Sequence, residues 1–293
     1  MTIFDILVKT YAKVYSPCII ASIIRYFLRK IANWLSPLYF KKTIREDNPK
    51  TIPVVVSLTS FPSRIHIVWQ VVECMLRQTV RPSKIILWLS KEQFKTEDSI
   101  PQSLKQLMGA LFEIRMVDGD IRSHKKYYYV AKEHPDSLVF LVDDDIYYAS
   151  DIIERSYYAY LNNPDTVICN YGYRIERDGT GKRLPYNNWQ HVYTGACGVD
   201  LFFGSGGGTL FRPSNLHEDL TNIELALKLT PLADDIWLNA MTRLAKQRIL
   251  LLPSGLFLPI LSKSEMLHKE NRGLAQNDVQ IQALEVNYGK TIF

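Results

Sequence analysis

Apolar residues in this chain fall into short runs separated by longer amphipathic stretches. Residues 52–58 read IPVVVSL, followed by the turn-like TSFPS. A continuous β-branched run of that length predicts a central strand buried on both faces. The next stretch, IHIVWQVVECMLRQT, has helical spacing and stops before Arg81 and Pro82, after which residues 85–89 form a second apolar strand. A helical piece over 102–111, the strand FEIRMV, the helix SHKKYYYVAKEH closed by Pro135, and a strand over 138–142 repeat the order. Strands alternating with helices predict right-handed βαβ units. The fold class is therefore α/β, Rossmann-like, with a mostly parallel central sheet covered by helices on both faces. Ligands of such sheets bind at the carboxyl ends of strands.

Past residue 165 the alternation gives way to shorter pieces: VICNYGY, a turn at DGTGK, a glycine-rich loop, a helix near 234–246 and a final strand over 249–252. The N-terminus differs again. From Ile19 it reads IIASIIRYFLRKIANWLSPLYFKK, with Ile20, Ile23, Ile24, Phe27, Ile31 and Trp34 or Leu35 at helical spacing and Arg25, Arg29 and Lys30 largely off that stripe. A basic amphipathic helical segment of this kind suits a membrane interface, with its cations against anionic headgroups. It equally suits packing on the main domain or on a partner.

Charge sharpens the division. Residues 1–50 hold nine Lys/Arg against three acids, whereas the remainder carries 26 against 27. The basic character belongs to the N-terminal segment, which argues against a nucleic-acid partner. The four cysteines are scattered without zinc spacing, as expected of free thiols in a reducing cytosol. No uncharged apolar run is long enough for a conventional transmembrane helix.

Candidate chemistry sits in three places. VFLVDDDIYY ends a strand in Asp143, Asp144 and Asp145, whose repulsion a divalent cation would relieve. Side chains alternate along a strand, so Asp143 and Asp145 can share one side while Asp144 points away. A solvated loop with an Asp capping the next helix is the plain alternative. LFFGSGGGTLFRP includes Gly206 and Gly207, which permit close backbone approach to a ligand or serve a bulge. LADDIWLNAM puts Asp234 and Asp235 at a helix start, as caps or as a general base kept ionised by the helix dipole.

In this order and spacing, VVVSLTSFPSRI, VFLVDDDIYY, GSGGGTLFRP and ADDIWL resemble the glycosyltransferases of the GT-A fold, particularly bacterial enzymes that build surface polysaccharides such as O-antigen and capsule. The resemblance covers roughly residues 52–270. It implies a GT-A domain over 51–293, with a nucleotide-sugar half at about 51–150 and an acceptor half at about 151–270. It further implies Mn2+ or Mg2+ held by Asp145, Asp143 and His268, and a nucleotide-sugar donor, a UDP-sugar ahead of a GDP-sugar. Thr59, Ser60, Pro62, Arg64, Asp120, Lys125, Asp143, Asp144, Gly206 and Gly207 would contact the donor. Asp235, or else Asp234, would be the base of an inverting reaction, and Trp189, Tyr193 and Trp237 are candidates for stacking on sugars. For Arg64 a surface charge, and for the HKK run a solvated helix face, are the plain alternatives. The acceptor would be a glycan or lipid-linked saccharide, and residues 1–45 would place the enzyme peripherally on the inner face of the cytoplasmic membrane. Competing readings are a sugar nucleotidyltransferase, which lacks support because no glycine-rich phosphate loop follows the first strand, and a membrane-attached carbohydrate-binding module without catalysis. A haloacid-dehalogenase-type phosphatase would need its acids on the first strand.

Overall fold

The computed structural model describes residues 2–45, 49–262 and 276–293. A helical hairpin, α1 (Ile3–Lys13) and α2 (Ile19–Lys42), precedes the sheet. Then follow β1 (Thr51–Thr59), α3 (Val68–Leu76), β2 (Arg81–Ser90), α4 (Gln102–Lys105), β3 (Phe112–Val117), α5 (Lys125–Glu133), β4 (Leu138–Val142) and β5 (Ile146–Tyr147). The second half contains α6 (Ile152–Asn162), β6 (Thr166–Cys169), β7 (Gly172–Arg174), β8 (Gln190–His191), β9 (Ala196–Gly198), β10 (Leu201–Phe203) and β11 (Gly207–Phe211). It continues with α7 (Ile223–Leu229), α8 (Asp234–Leu244), β12 (Arg248–Leu251), β13 (Leu258–Pro259) and α9 (Gln276–Tyr288).

Eight strands form the main sheet in the order β3-β2-β1-β4-β11-β6-β12-β9. The first four are mutually parallel, β11 runs against β4 and β6, β12 is parallel to β6, and β9 closes the sheet antiparallel. The expected mostly parallel α/β sheet is present. Its two faces follow the strand period of two: Val54, Val56 and Leu58 of β1 pack with α3 and α6, while Val55 packs with residues of α5, α8 and α9. Because β1, β2, β3 and β4 are parallel, the loops after all four leave from one edge.

Several elements differ from the sequence reading. The glycine-rich stretch is a short turn at 204–206 that leads into β11, a strand in the middle of the sheet whose register breaks between Gly207 and Thr209, as the bulge alternative allows. VICNYGY divides into β6 and β7, which belong to different sheets. The helix expected over 102–111 is only the single turn α4. The C-terminal α9 has almost no one-sided apolar pattern, yet it buries Ile281 and Leu284.

The N-terminal hairpin is part of the same body. Phe4, Val8, Tyr11, Ala32 and Phe40 join the apolar cluster that contains β1 and α3. Asp5 accepts the Ser150 N–H at 3.1 Å, Leu256 N–H donates to Ala12 O at 3.2 Å, and Asn33 bridges the Pro259 carbonyl (2.9 Å) and the Leu261 N–H (2.8 Å). These contacts join residues 145 to 244 positions apart in sequence, so packing on the main domain is one role the segment fulfils.

Candidate active site

Strand β4 delivers its three acids at the carboxyl edge. Asp143 is fixed by its backbone, whose N–H donates to Gly206 O at 3.1 Å and to the Tyr148 hydroxyl at 2.8 Å. A Cβ on residue 206 would fall 1.8 Å from the Asp143 carboxyl carbon, and one on residue 207 would fall 2.4 Å from Tyr171 Cβ. The glycines are buried and serve close packing against Asp143 and Tyr171.

Asp144 points inward. It accepts hydrogen bonds from Ser60 Oγ at 2.6 Å and from the Arg64 guanidinium at 2.7 Å, both from the loop after β1. Arg64 also lies 3.0 Å from Asp145, so it is a partner of the acids rather than an isolated surface charge. Asp145 keeps a third of its side chain exposed. Burial, and then the Asp144 charge beside it, push its carboxyl up to about 7 against the pull of Arg64.

Lys126, a residue the sequence reading passed over, joins the acidic motifs. Its ammonium is 2.8 Å from Asp143 and 3.1 Å from Asp234, with 5% of the side chain exposed. Burial favours the neutral amine, but Asp143, Asp234 and Asp235 overcome it and raise the lysine further. The HKK run is therefore no solvated face: His124, Lys125 and Lys126 are all buried. His124 accounts for the placement, its ring bridging the Tyr127 hydroxyl (3.0 Å) and the Thr230 carbonyl (2.8 Å), which ties the start of α5 to the segment before α8. The adjacent Lys-Lys was the signal available in sequence, but nothing local distinguishes which lysine turns inward to the acids.

At the start of α8 neither Asp caps the helix through its side chain. Asp234 accepts from Ser205 Oγ at 2.9 Å, and Asp235 accepts the Ser205 N–H at 2.8 Å. The two carboxyls are driven apart. Burial works against the Asp234 charge, but Lys126 and His124 outweigh it and lower that group, whereas burial and the Asp234 charge push Asp235 up to about 7. The helix dipole does not keep Asp235 fully ionised, a departure from the sequence expectation with desolvation as its cause.

The other candidates are distributed around this centre. Thr59 donates to the Trp88 carbonyl at 2.8 Å, and Pro62 is exposed. Asp120 pairs with buried Lys125 and accepts from Gln93 at 2.6 Å. That pair follows β3, three strand spacings or about 14 Å from β4 along the same edge. Trp189 and Trp237 are buried in the core, the latter donating to the Leu220 carbonyl at 3.1 Å. Tyr193 is half-buried and stacks on Tyr15 at 4.4 Å. His268 lies outside the described residues, and among those residues no group of three His, Cys, Asp or Glu side chains gathers to hold a metal ion. The acids are balanced instead by Lys126 and Arg64. Asp143 Oδ2 and Asp145 Oδ1 accept no hydrogen bond from the described residues, which leaves oxygens for a cation that takes its other ligands from a phosphate group and water.

No protein-family model matches the sequence, and no curated protein matches it. Solved structures show a distant likeness. A mannosyltransferase from Pyrobaculum calidifontis in complex with GDP-Man and Mn2+ aligns at 13% identity over 98% of this chain and 76% of its own, with a TM-score of 0.48. A 4-diphosphocytidyl-2C-methyl-D-erythritol synthase from Anaerococcus prevotii aligns at 14% identity over 77% and 96%, with a TM-score of 0.43. A CMP:2-keto-3-deoxy-manno-octonic acid synthetase complexed with CTP aligns at 12% identity over 78% and 99%, with a TM-score of 0.43.

Proposed function

We propose that this protein is a glycosyltransferase that moves a sugar from a nucleotide-sugar donor to a hydroxyl of a glycan or lipid-linked saccharide. One observation carries the reading: acids at the carboxyl end of β4 and acids at the start of α8, about ninety residues apart, meet through the buried Lys126. Structural ion pairs at a sheet edge do not need a second carboxyl held near neutrality beside them, as Asp235 is.

The donor nucleotide lies along the carboxyl edge, from Asp120 and Lys125 beyond β3 to the acids beyond β4. Asp143 and Asp145 would hold a divalent cation, Mn2+ or Mg2+, which when bound would supply Lewis-acid stabilisation of the diphosphate leaving group. Arg64 and Lys126 set the net charge of the same surface, and Ser60 with Arg64 fixes Asp144 so that its neighbours keep their orientation. Asp235 takes the proton of the acceptor hydroxyl as that oxygen forms its bond to the anomeric carbon. The bond to the nucleotide diphosphate breaks on the opposite face, which inverts the configuration. A base near neutrality matches the needs of such a transfer. Asp234 stays charged as the partner of Lys126.

Calorimetric titration of UDP, and separately of GDP, into wild type and Asp145→Ala with and without Mn2+ tests this. Metal-dependent binding of one nucleotide, abolished by the substitution, supports the reading and identifies the donor nucleotide. Binding of neither nucleotide sinks it.

A further inference from the structure

Helix α2 is amphipathic in the reverse of the usual sense. Its buried face is built of small or polar side chains, Ala21, Ala32 and Ser36 together with Phe40. The opposite face presents Ile20, Ile23, Ile24, Phe27, Ile31 and Trp34 to solvent, with Ile20 66% and Trp34 69% exposed. These positions lie on one side at helical spacing, a ridge from Ile20 to Trp34 over about 21 Å of the 24-residue helix, ahead of Pro37. A contiguous apolar surface of this kind on a folded protein marks a contact site.

Charge decides what covers it. Between Asp5 and Glu46 the sequence has no acidic residue and eight Lys or Arg. Lys30, Lys41 and Lys42 are exposed, whereas Arg25 is turned to the Val14 (2.8 Å) and Ser16 (2.9 Å) carbonyls and closes the hairpin. A protein partner or a second copy of this chain would bury those lysines beside apolar contacts at a desolvation cost, while an anionic bilayer leaves them at headgroup depth. Among the described residues no helix is long and apolar enough to cross a membrane, and the inner face of α2 is already occupied by the domain.

We propose that the α2 ridge is a docking face for an anionic lipid bilayer. The helix lies in the interface plane with Phe27 and Trp34 among the acyl chains and Lys30, Lys41 and Lys42 at the headgroups. Because Asn33 and Asp5 clamp the hairpin to the domain, the ridge is preformed and fixes the orientation of the whole protein on the surface. This inference is independent of the transferase reading, since docking requires no nucleotide.

The test is co-sedimentation of the full chain with vesicles of 70% phosphatidylcholine and 30% phosphatidylglycerol, using wild type and the triple substitution Ile23→Ser, Phe27→Ser, Trp34→Ser. These positions are exposed, and circular dichroism with thermal unfolding verifies that the variant folds. The expected result is wild-type binding that weakens with salt and falls about tenfold or more in the variant. Equal binding by both proteins, or no wild-type binding at low salt, overturns the proposal. So does a wild-type dimer in sedimentation equilibrium that the substitutions dissociate while vesicles capture neither protein, because the ridge would then cover a second copy.

Discussion

Replacing Lys126 by methionine keeps the apolar stem and deletes only the ammonium. That ammonium sits 2.8 Å from Asp143 and 3.1 Å from Asp234. Without it the buried Asp234 loses its lysine counter-charge, with Asp235 beside it and the part-exposed Asp143 nearby. Removing one partner of a buried ion pair costs about 3–5 kcal/mol. An unfolding entropy near 2.1 cal/mol/K per residue, applied to 293 residues, converts that cost to a Tm loss of about 5–8 °C. The pH dependence has a definite sign. Asp234 is held below its ordinary value, so its contribution is present above the unfolded carboxylate pKa and is lost as pH falls through the folded one. Lys126 is raised, so its contribution persists through neutrality. The gap between wild type and Lys126→Met is therefore full from pH 8 down to about pH 4 and narrows only below that, as Asp234 protonates. Thermal unfolding of both proteins across this range is the assay. Lys91→Met serves as the control, because its pair with Asp118 is 54% and 89% exposed and is worth under about 1 kcal/mol. A Tm loss for Lys126→Met no larger than that of the control would refute the argument that this lysine holds the acidic motifs together.

Gly206→Ala drives a methyl into the Asp143 carboxylate and is expected to cost about 1–3 kcal/mol and weaken nucleotide binding, read by unfolding and calorimetry on the same sample. Sugar transfer should rise with pH through about 7 as Asp235 ionises, and Asp235→Asn should lower kcat by about a hundredfold or more with nucleotide affinity kept; a flat pH–rate profile would point to another base. For stability the sign is opposite: the raised Asp235 favours the fold below its unfolded value near 3.8, and that contribution fades as pH rises through about 7. Asp5→Ala removes the capping box of α1 and the bond to Ser150. It should cost about 1–3 kcal/mol and speed proteolytic cleavage within the hairpin; an unchanged cleavage rate would mean the clamp lies elsewhere.

The parts of this protein that depend on local pattern can be read along the chain. The strands FEIRMV and LVFLV and the helix over 19–42 are legible because hydrophobic period and β-branching act within a few residues, and the order of the acidic motifs follows from the order of those elements. The sequence left α9 unseen, because its one-sided apolar pattern is nearly absent, and it marked a turn or bulge at GSGGG without the central strand that starts at Gly207, because glycine signals backbone freedom without saying what approaches. The tertiary structure decided that the approaching group is Asp143 itself. It also decided that Lys126 rather than Lys125 faces the two acidic motifs, that Asp235 and not Asp234 is held near neutrality, and that the apolar stripe from Ile20 to Trp34 of α2 faces outward while Phe40 turns in. Each of these depends on burial and on charges brought together from distant segments. Desolvation and Coulomb energies are set by distances in space, and no spacing along the chain encodes them.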